Sequence, residues 1–184
     1  LLYTPLTCAL TKCSLAKMPK KFAKMSIMAV TTTSGAICLP TKIEDEVTKF
    51  GVSRKVADFT GPITMSMNSC GAAMCYVSAI FFMAQSTGIN MTATQMGMAI
   101  LLSCLMCLGT ISVPGGSVIV YTFLASSLGL PLESIAVLIG IDWFAGMFRT
   151  LMNVDVDVMI AMLVANKIGE LDHDVFNDKK VVTY

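Results

Sequence analysis

The sequence predicts an all-α integral membrane protein with two long transmembrane helices and two re-entrant helical hairpins, arranged as an inverted repeat. Three observations support this prediction. Of the 184 residues, 55% are hydrophobic and only 14% are charged, whereas soluble domains carry about 25% charged residues. No Lys or Arg occurs between Val56 and Phe148. Two apolar stretches are interrupted by small or helix-breaking residues, which is tolerated at membrane depth where protein or a wet cavity covers the backbone.

The first 56 residues predict the end of one membrane helix and then a hairpin. Residues 1–16 are apolar, and the range 17–56 contains a basic cytoplasmic connector followed by the first re-entrant hairpin. The apolar part of this hairpin, residues 26–40, is fifteen residues long, whereas a helix needs about 20 to cross the hydrocarbon core. Basic segments flank it on both sides, so we expect it to enter and leave from the cytoplasm.

The second half repeats this order from the opposite face. Residues 57–86 are long enough to span and have a polar centre, MNSCGAA, that predicts an unwound segment. The range 93–128 predicts a second re-entrant hairpin, broken at GTISVPGGS because Pro and paired Gly end helices. Residues 132–168 predict the last transmembrane helix, and lysines place the tail, 169–184, in the cytoplasm. A soluble all-α core is the alternative interpretation.

Polar side chains follow a helical spacing along the last predicted helix. At about 100° per residue, Asp142, Gly146, Arg149, Asn153 and Asp157 fall on one face. A charge in a membrane helix costs about 2.5–3.5 kcal/mol on insertion scales, so this alignment indicates a site. The guanidinium fork of Arg149 suits a carboxylate, and Asn153 and Asp157 offer oxygens to a hard cation. A structural ion pair between Asp142 and Arg149 is the alternative.

Four motifs in order along the chain resemble those of one transporter family. TTTSGAICLP resembles the first hairpin tip SSxxTLP, and GPITMSMNSCGAAM resembles LPLGATINMDGTAL of the seventh helix. GTISVPGGS resembles the second hairpin tip GTAGVPGAG, and FRTLMNVDVD resembles the RTxxNVxGD signature of the last helix. The chain is thus similar to the dicarboxylate/amino acid:cation symporters, the glutamate-transporter homologues. The resemblance implies the transport domain of an elevator-type carrier, with the second hairpin, 93–128, as its gate. Its homotrimer would form through a scaffold missing from this chain.

The resemblance implies a role for each matching residue, and none of these roles is catalytic. Arg149 would bind a substrate side-chain carboxylate, and Asn153 would reach the other carboxylate. The implied substrate-binding residues are Arg149, Asn153, Ser34, Gly35, Val113, Pro114, Gly115 and Asp142. The implied sodium ligands are Asp157, Asn153 and the backbone near Asn68 in one site, and the backbone around Ser66 and Thr110 in a second.

Three departures from the family pattern bear on substrate and coupling ion. The Asp of NMDGT is Cys70, and a thiol is a poor ligand for a hard cation, which removes support for a third sodium site. The Asp that binds the substrate ammonium in amino-acid carriers is Gly146. Asp155 is an additional acid outside the polar face, and we expect it to meet a wet cavity or the scaffold.

The resemblance, with Arg149 present and Gly at position 146, favours cation-coupled symport of a small dicarboxylate across the cell membrane. The expected coupling ion is Na⁺, with H⁺ as the alternative, and no cofactor is expected. Symport of an acidic or neutral amino acid is the alternative, and so is a non-transporting truncated paralogue. We expect a fragment of a longer multi-pass protein that contacts lipid in the plasma membrane of a bacterium. No enzyme is expected, because the hydroxyls near residue 33 lack a His partner. With a net charge of +1, nucleic acid is not an expected partner.

Overall fold

A computed structural model describes residues 2–109 and 116–184, which fold into nine α-helices and two short 3-10 turns. The helices are α1 Tyr3–Thr11, α2 Met18–Thr32, α3 Gly35–Thr48, α4 Arg54–Met67, α5 Cys70–Ser86, α6 Ala93–Gly109, α7 Gly116–Leu128, α8 Ile135–Ile168 and α9 His173–Phe176. The 3-10 turns are Leu15–Lys17 and Leu132–Ser134. The chain divides into two compact units: unit 1 comprises residues 1–68 and 150–184, and unit 2 comprises residues 69–149.

Two segments are apolar and long enough to cross a membrane, namely Arg54–Ser86 and Leu132–Ile168. The first is interrupted where α4 ends and α5 begins, because the backbone of Asn68 is extended (φ −90°, ψ 109°). Together with the helical content of the described residues, these segments confirm the predicted all-helical class with two long apolar helices. The re-entrant insertion of the two hairpins stays a prediction.

The core of unit 1 is built from apolar stripes of α2 and α8. On α2 the residues Met18, Phe22, Met25 and Ala29 are buried, at the spacing of 4, 3 and 4 that marks one helix face. The second stripe lies on the C-terminal part of α8. Its fully or nearly fully buried members are Val154, Val158, Ala161 and Ala165. These residues share one core cluster with the α2 stripe.

Helices α2 and α3 form a helical hairpin that turns at Thr33 and Ser34. Thr33 adopts a left-handed backbone conformation (φ 49°), which ends α2. The Ser34 hydroxyl accepts a hydrogen bond from the amide of Ile37 and so caps the start of α3. The two helices then pack along each other. The small and hydroxyl residues of TTTSG therefore fit a tight turn between two helices.

The C-terminal segment, predicted as a cytoplasmic tail, folds back onto unit 1. Phe176 of α9 is fully buried, and the Asp172 amide donates to the Gly51 carbonyl at 2.7 Å. Lys21 and Lys17 donate to the Asp178 carboxylate at 2.6 and 3.2 Å. These hydrogen bonds hold the pKa of Asp178 below its usual 3.8. The tail is thus part of the folded unit.

Unit 2 has a core in which α5, α6, α7 and the start of α8 meet. The rings of Tyr76 and Tyr121 pack edge to face, with centroids 5.7 Å apart. Ile80 and Leu124 are fully buried beside them in the same cluster. Between helices in a membrane, such close contacts stabilise through van der Waals packing. This packing places α7 in one core with the start of α8, which precedes Asp142.

Candidate functional site

In unit 1, Asp157 of α8 is the centre of a buried polar cluster. Its side chain is only 4% exposed, and that of Lys42 on α3 is only 2% exposed. The Lys42 Nζ atom lies 2.7 Å from Asp157 Oδ2. Because the two charges are close, oppositely signed and shielded from water, they form a buried ion pair.

The two remaining hydrogens of the Lys42 ammonium also have acceptors. Nζ lies 3.0 Å from the Gly61 carbonyl oxygen and 3.1 Å from Thr64 Oγ1, both on α4. Thr64 is itself buried. Lys42 therefore ties α3 to α4 and to α8 within unit 1.

Asn68, at the break between α4 and α5, completes the cluster. Its Nδ2 donates to Asp157 Oδ1 at 2.8 Å and to the Asn153 carbonyl oxygen at 3.1 Å. The structure thus brings Asn68, Asn153 and Asp157 together, which are three residues of the first predicted sodium site. The extended backbone of Asn68 makes this possible, because it ends the helix where the side chain must turn toward α8.

The remaining predicted residues of unit 1 lie apart from this cluster in their contacts. Ser34 caps α3 at the hairpin turn. A Cβ added to Gly35 would meet Met65 Cγ at 3.8 Å, so the turn faces α4 at ordinary packing distance. The Ser66 side chain is exposed, and its hydroxyl donates to the Pro62 carbonyl one turn earlier. A role in binding for these three residues stays a prediction.

In unit 2, Arg149 is held by a hydrogen-bonded group on α7 and α8. Its Nη1 donates to Ser117 Oγ at 3.1 Å, and Ser117 donates to Asp142 Oδ2 at 2.9 Å. Tyr121 donates to Asp142 Oδ1 at 3.3 Å. The direct distance between Arg149 Nη1 and Asp142 Oδ1 is 3.8 Å. The ion pair weighed as an alternative is therefore present, and Ser117 bridges it.

Gly146 lies beside this guanidinium. A Cβ built on Gly146 would be 3.5 Å from Arg149 Nη2, which is ordinary van der Waals contact. A side chain at position 146 would thus reach the arginine directly. The absence of one leaves that edge of the guanidinium uncovered by residue 146.

Asp155, which had no assigned role, has a partner in unit 1. Its two carboxylate oxygens accept from the Ser26 hydroxyl at 3.1 and 3.2 Å. Ser26 belongs to α2, so this contact joins α8 to the first hairpin. The expectation of a wet cavity or scaffold contact for Asp155 stays untested.

Four predicted residues of the second hairpin tip lie outside the described residues, namely Thr110, Val113, Pro114 and Gly115. Sequence reasoning missed Lys42, Thr64, Ser117 and Tyr121. A usable signal existed for Lys42, because a buried acid on a membrane helix needs a partner. Lys42 lies in the polar run after Pro40, which was interpreted only as a basic cytoplasmic flank of the first hairpin. The two hydroxyls on α7 are ordinary apolar-helix residues by sequence and carried no comparable signal.

Comparison with known proteins relates most of the chain to one family. Residues 1–167 match the sodium:dicarboxylate symporter family. The chain is 30% identical over 139 residues to the proton/glutamate-aspartate symporter of Bacillus subtilis (strain 168), covering 76% of this chain and 33% of that protein. It is 30% identical over 148 residues to the proton/sodium-glutamate symport protein of Bacillus caldotenax, covering 80% and 35%.

A third relative is excitatory amino acid transporter 2 of Homo sapiens, with 29% identity over 128 residues, 70% of this chain and 22% of that protein. The chain spans about a third or less of the length of these relatives. All three are named as carriers rather than enzymes. The match over residues 1–167 is decisive, and the chain belongs to the sodium:dicarboxylate symporter family.

Proposed function

We propose that this chain is the substrate- and ion-binding part of a cation-coupled symporter for an acidic amino acid of the glutamate and aspartate class. The observation that carries the proposal is the partly buried Arg149, whose guanidinium is 19% exposed and is oriented by Ser117 and Asp142. A fixed guanidinium recognises a carboxylate through two parallel hydrogen bonds. The relatives named as glutamate or aspartate symporters support this substrate class over the dicarboxylate favoured by sequence reasoning.

Asp142 supplies a candidate partner for the substrate amine. Its carboxylate is 13% exposed and accepts from Ser117 and Tyr121. A carboxylate oxygen has more than one lone pair, so it can accept from an ammonium as well. Asp142 would then do what the family assigns to an Asp at position 146.

A small dicarboxylate is the second candidate substrate, and Gly146 favours it. A substrate without an amine needs no acid at this position. The neighbouring Arg149 then meets only carboxylates. The two candidates therefore differ in whether the site must hold a positive charge.

Uptake by the complete polypeptide in proteoliposomes tests the proposal. Labelled L-aspartate and succinate are supplied with a Na⁺ gradient alone and with a proton gradient alone. We expect saturable aspartate uptake driven by at least one gradient. Succinate uptake that aspartate does not inhibit would support the dicarboxylate instead. No uptake of either under both gradients would indicate the non-transporting paralogue.

Two substitutions, Arg149→Lys and Gly146→Asp, distinguish an acidic amino acid from a dicarboxylate as the substrate. Lysine keeps the charge but loses the fork, so we expect acidic-substrate uptake to fall by at least tenfold. The Cβ of an aspartate side chain at position 146 would lie 3.5 Å from Arg149 Nη2, so we expect its carboxylate to compete with the substrate for the guanidinium and to lower aspartate uptake. Gly146→Ala is the matched control, because its Cβ fits at that distance. A dicarboxylate carrier would instead gain aspartate uptake with Gly146→Asp.

The proposal extends to the membrane location and assembly of the complete protein. The complete protein would be a multi-pass plasma-membrane carrier, with the α6–α7 hairpin as the gate of an elevator-type transport domain. It would assemble as a homotrimer through segments other than residues 1–184. The apolar segments Arg54–Ser86 and Leu132–Ile168 and the family membership support the membrane location.

A further inference from the structure

The ammonium of Lys42 has a complete set of hydrogen-bond acceptors in the Asp157 cluster. An ammonium carries three N–H donors. Its three neighbours are Asp157 Oδ2, the Gly61 carbonyl oxygen and Thr64 Oγ1, at 2.7, 3.0 and 3.1 Å. A carboxylate, a carbonyl and a hydroxyl are also the ligand types that a hard cation selects. The amine thus lies where a cation bound to Asp157 Oδ2 would lie.

A second cation at this carboxylate would meet the charge of the ammonium in a site that is closed to water. The other oxygen, Asp157 Oδ1, accepts from Asn68 Nδ2 at 2.8 Å. A metal ion on Oδ2 would lie within a few ångströms of the ammonium, where like charges repel strongly in a buried environment. Both the Lys42 and Asp157 side chains are almost fully shielded from solvent.

Glu46 is the other acid near this cluster, one helical turn along α3 from Lys42. It is fully buried. Neither of its carboxyl oxygens has a hydrogen-bond partner among the described residues. Lys42 therefore donates to Asp157 and to α4 and not to Glu46, although Glu46 is nearer in sequence. The hydrogen bonds thus orient the amine toward Asp157.

We infer that the Lys42 ammonium is the resident cation of the Asp157 site and replaces a coupling sodium ion there. The carrier then moves its substrate without using Na⁺ at this site. Any sodium or proton coupling must come from groups elsewhere in the protein. This inference rests on the proposed function, and it revises the sodium role predicted for Asp157, Asn153 and Asn68.

Sodium binding without substrate tests the inference, using ²²Na⁺ and the purified complete polypeptide. Lys42→Ala removes the amine and opens its space beside three oxygen ligands. We expect this variant to bind one ²²Na⁺ more per chain than the unaltered protein. Lys24→Ala is the matched control, since Lys24 is half exposed and pairs with Glu44 at 3.5 Å. Equal sodium binding in Lys42→Ala and the unaltered protein would overturn the inference.

A measurement on the unaltered protein covers the case in which Lys42→Ala does not fold. Lysine acylation, followed by mass spectrometry, is compared in Na⁺ and in choline. We expect Lys42 to stay unreactive in both salts, while Lys24 reacts equally in both. If Na⁺ displaces the amine from Asp157, acylation of Lys42 rises in Na⁺, and the inference is wrong.

Neither measurement depends on transport. Loss of uptake with every substrate would refute the proposed function and leave the sodium result standing. If the unaltered protein binds a sodium ion and Asp157→Asn abolishes that binding, the inference is refuted, whereas the proposed function is not. Glu46→Gln is the control for that variant, because it neutralises a buried acid to which Lys42 donates no hydrogen bond.

Discussion

Gly51→Ala tests how the C-terminal segment is attached to unit 1. Gly51 has a left-handed backbone (φ +75°), and a Cβ there would lie 2.1 Å from the Asp172 carbonyl oxygen. Gly169 has nearly the same conformation (φ +76°), but nothing lies within 4 Å of its added Cβ. Both alanine substitutions therefore carry a conformational cost of about 1–2 kcal/mol. Only Gly51→Ala must also displace the neighbouring chain.

The displacement would break two hydrogen bonds at this junction. The Asp172 amide donates to the Gly51 carbonyl at 2.7 Å, and the Ser53 amide donates to the Glu170 carbonyl at 3.2 Å. At about 0.5–1.5 kcal/mol each, their loss makes Gly51→Ala about 1–3 kcal/mol more costly than Gly169→Ala. Since 1.4 kcal/mol corresponds to a tenfold change in an equilibrium constant, the segment should open roughly 5- to 150-fold more often in Gly51→Ala than in Gly169→Ala.

Hydrogen exchange of the peptide that contains α9 measures this opening in the complete polypeptide. We expect its amides to be protected, because Val175 and Phe176 are buried and the Phe176 and Asn177 amides donate hydrogen bonds within the segment. We expect exchange to accelerate in Gly51→Ala well beyond Gly169→Ala. Equal acceleration in the two variants would refute the reasoning, because it would mean that the contact with Asp172 contributes nothing.

Three further predictions concern the two units. Ser117→Ala should lower the stability of unit 2 by about 1.5–3 kcal/mol, since it removes hydrogen bonds to two charged groups. Ser103→Ala should cost nothing, because the Ser103 hydroxyl is buried with no partner among the described residues. Equal decreases in the thermal unfolding midpoints of the two variants would contradict this prediction. Phe176→Ala should lower the free energy of unfolding by about 3–5 kcal/mol, because it removes buried volume. The control Phe59→Ala should cost about 0.5 kcal/mol or less in detergent, because Phe59 is exposed. Thermal unfolding and protection of the tail from exchange measure the difference. The pKa of Asp178 is lowered in the folded state by the hydrogen bonds from Lys21 and Lys17, so this tether is complete above the ordinary pKa of 3.8 and is lost as pH falls through the lowered value. Proteolysis of the tail should rise in this acidic range in the unaltered protein and should depend less on pH there in Asp178→Asn. The same acid sensitivity in both proteins would argue against the tether.

The apolar composition and the breaks in the chain were sufficient to predict an all-helical membrane protein. Helix α4 stops at Met67, and the polar centre of residues 57–86 predicted a break in this region. Local chemistry decides such features, because backbone conformation depends on a few neighbouring residues. The spacing of Asp142, Arg149, Asn153 and Asp157 along one helix was equally accessible, since it depends only on helical geometry.

Partners on other helices were decided only by tertiary structure. Lys42 lies 115 residues from Asp157 along the chain, yet its amine is 2.7 Å from that carboxylate. Ser26 meets Asp155 across 129 residues, and the tail meets the connection between α3 and α4 through Asp172 and Gly51. Nothing in local spacing encodes such pairs, because burial of the helix faces sets which side chains meet. The sequence by itself determined the fold class, the family and the polar face of α8. The tertiary structure decided that the cation beside Asp157 is the protein's own lysine, because only packing of α3 against α4 and α8 delivers the amine to that oxygen.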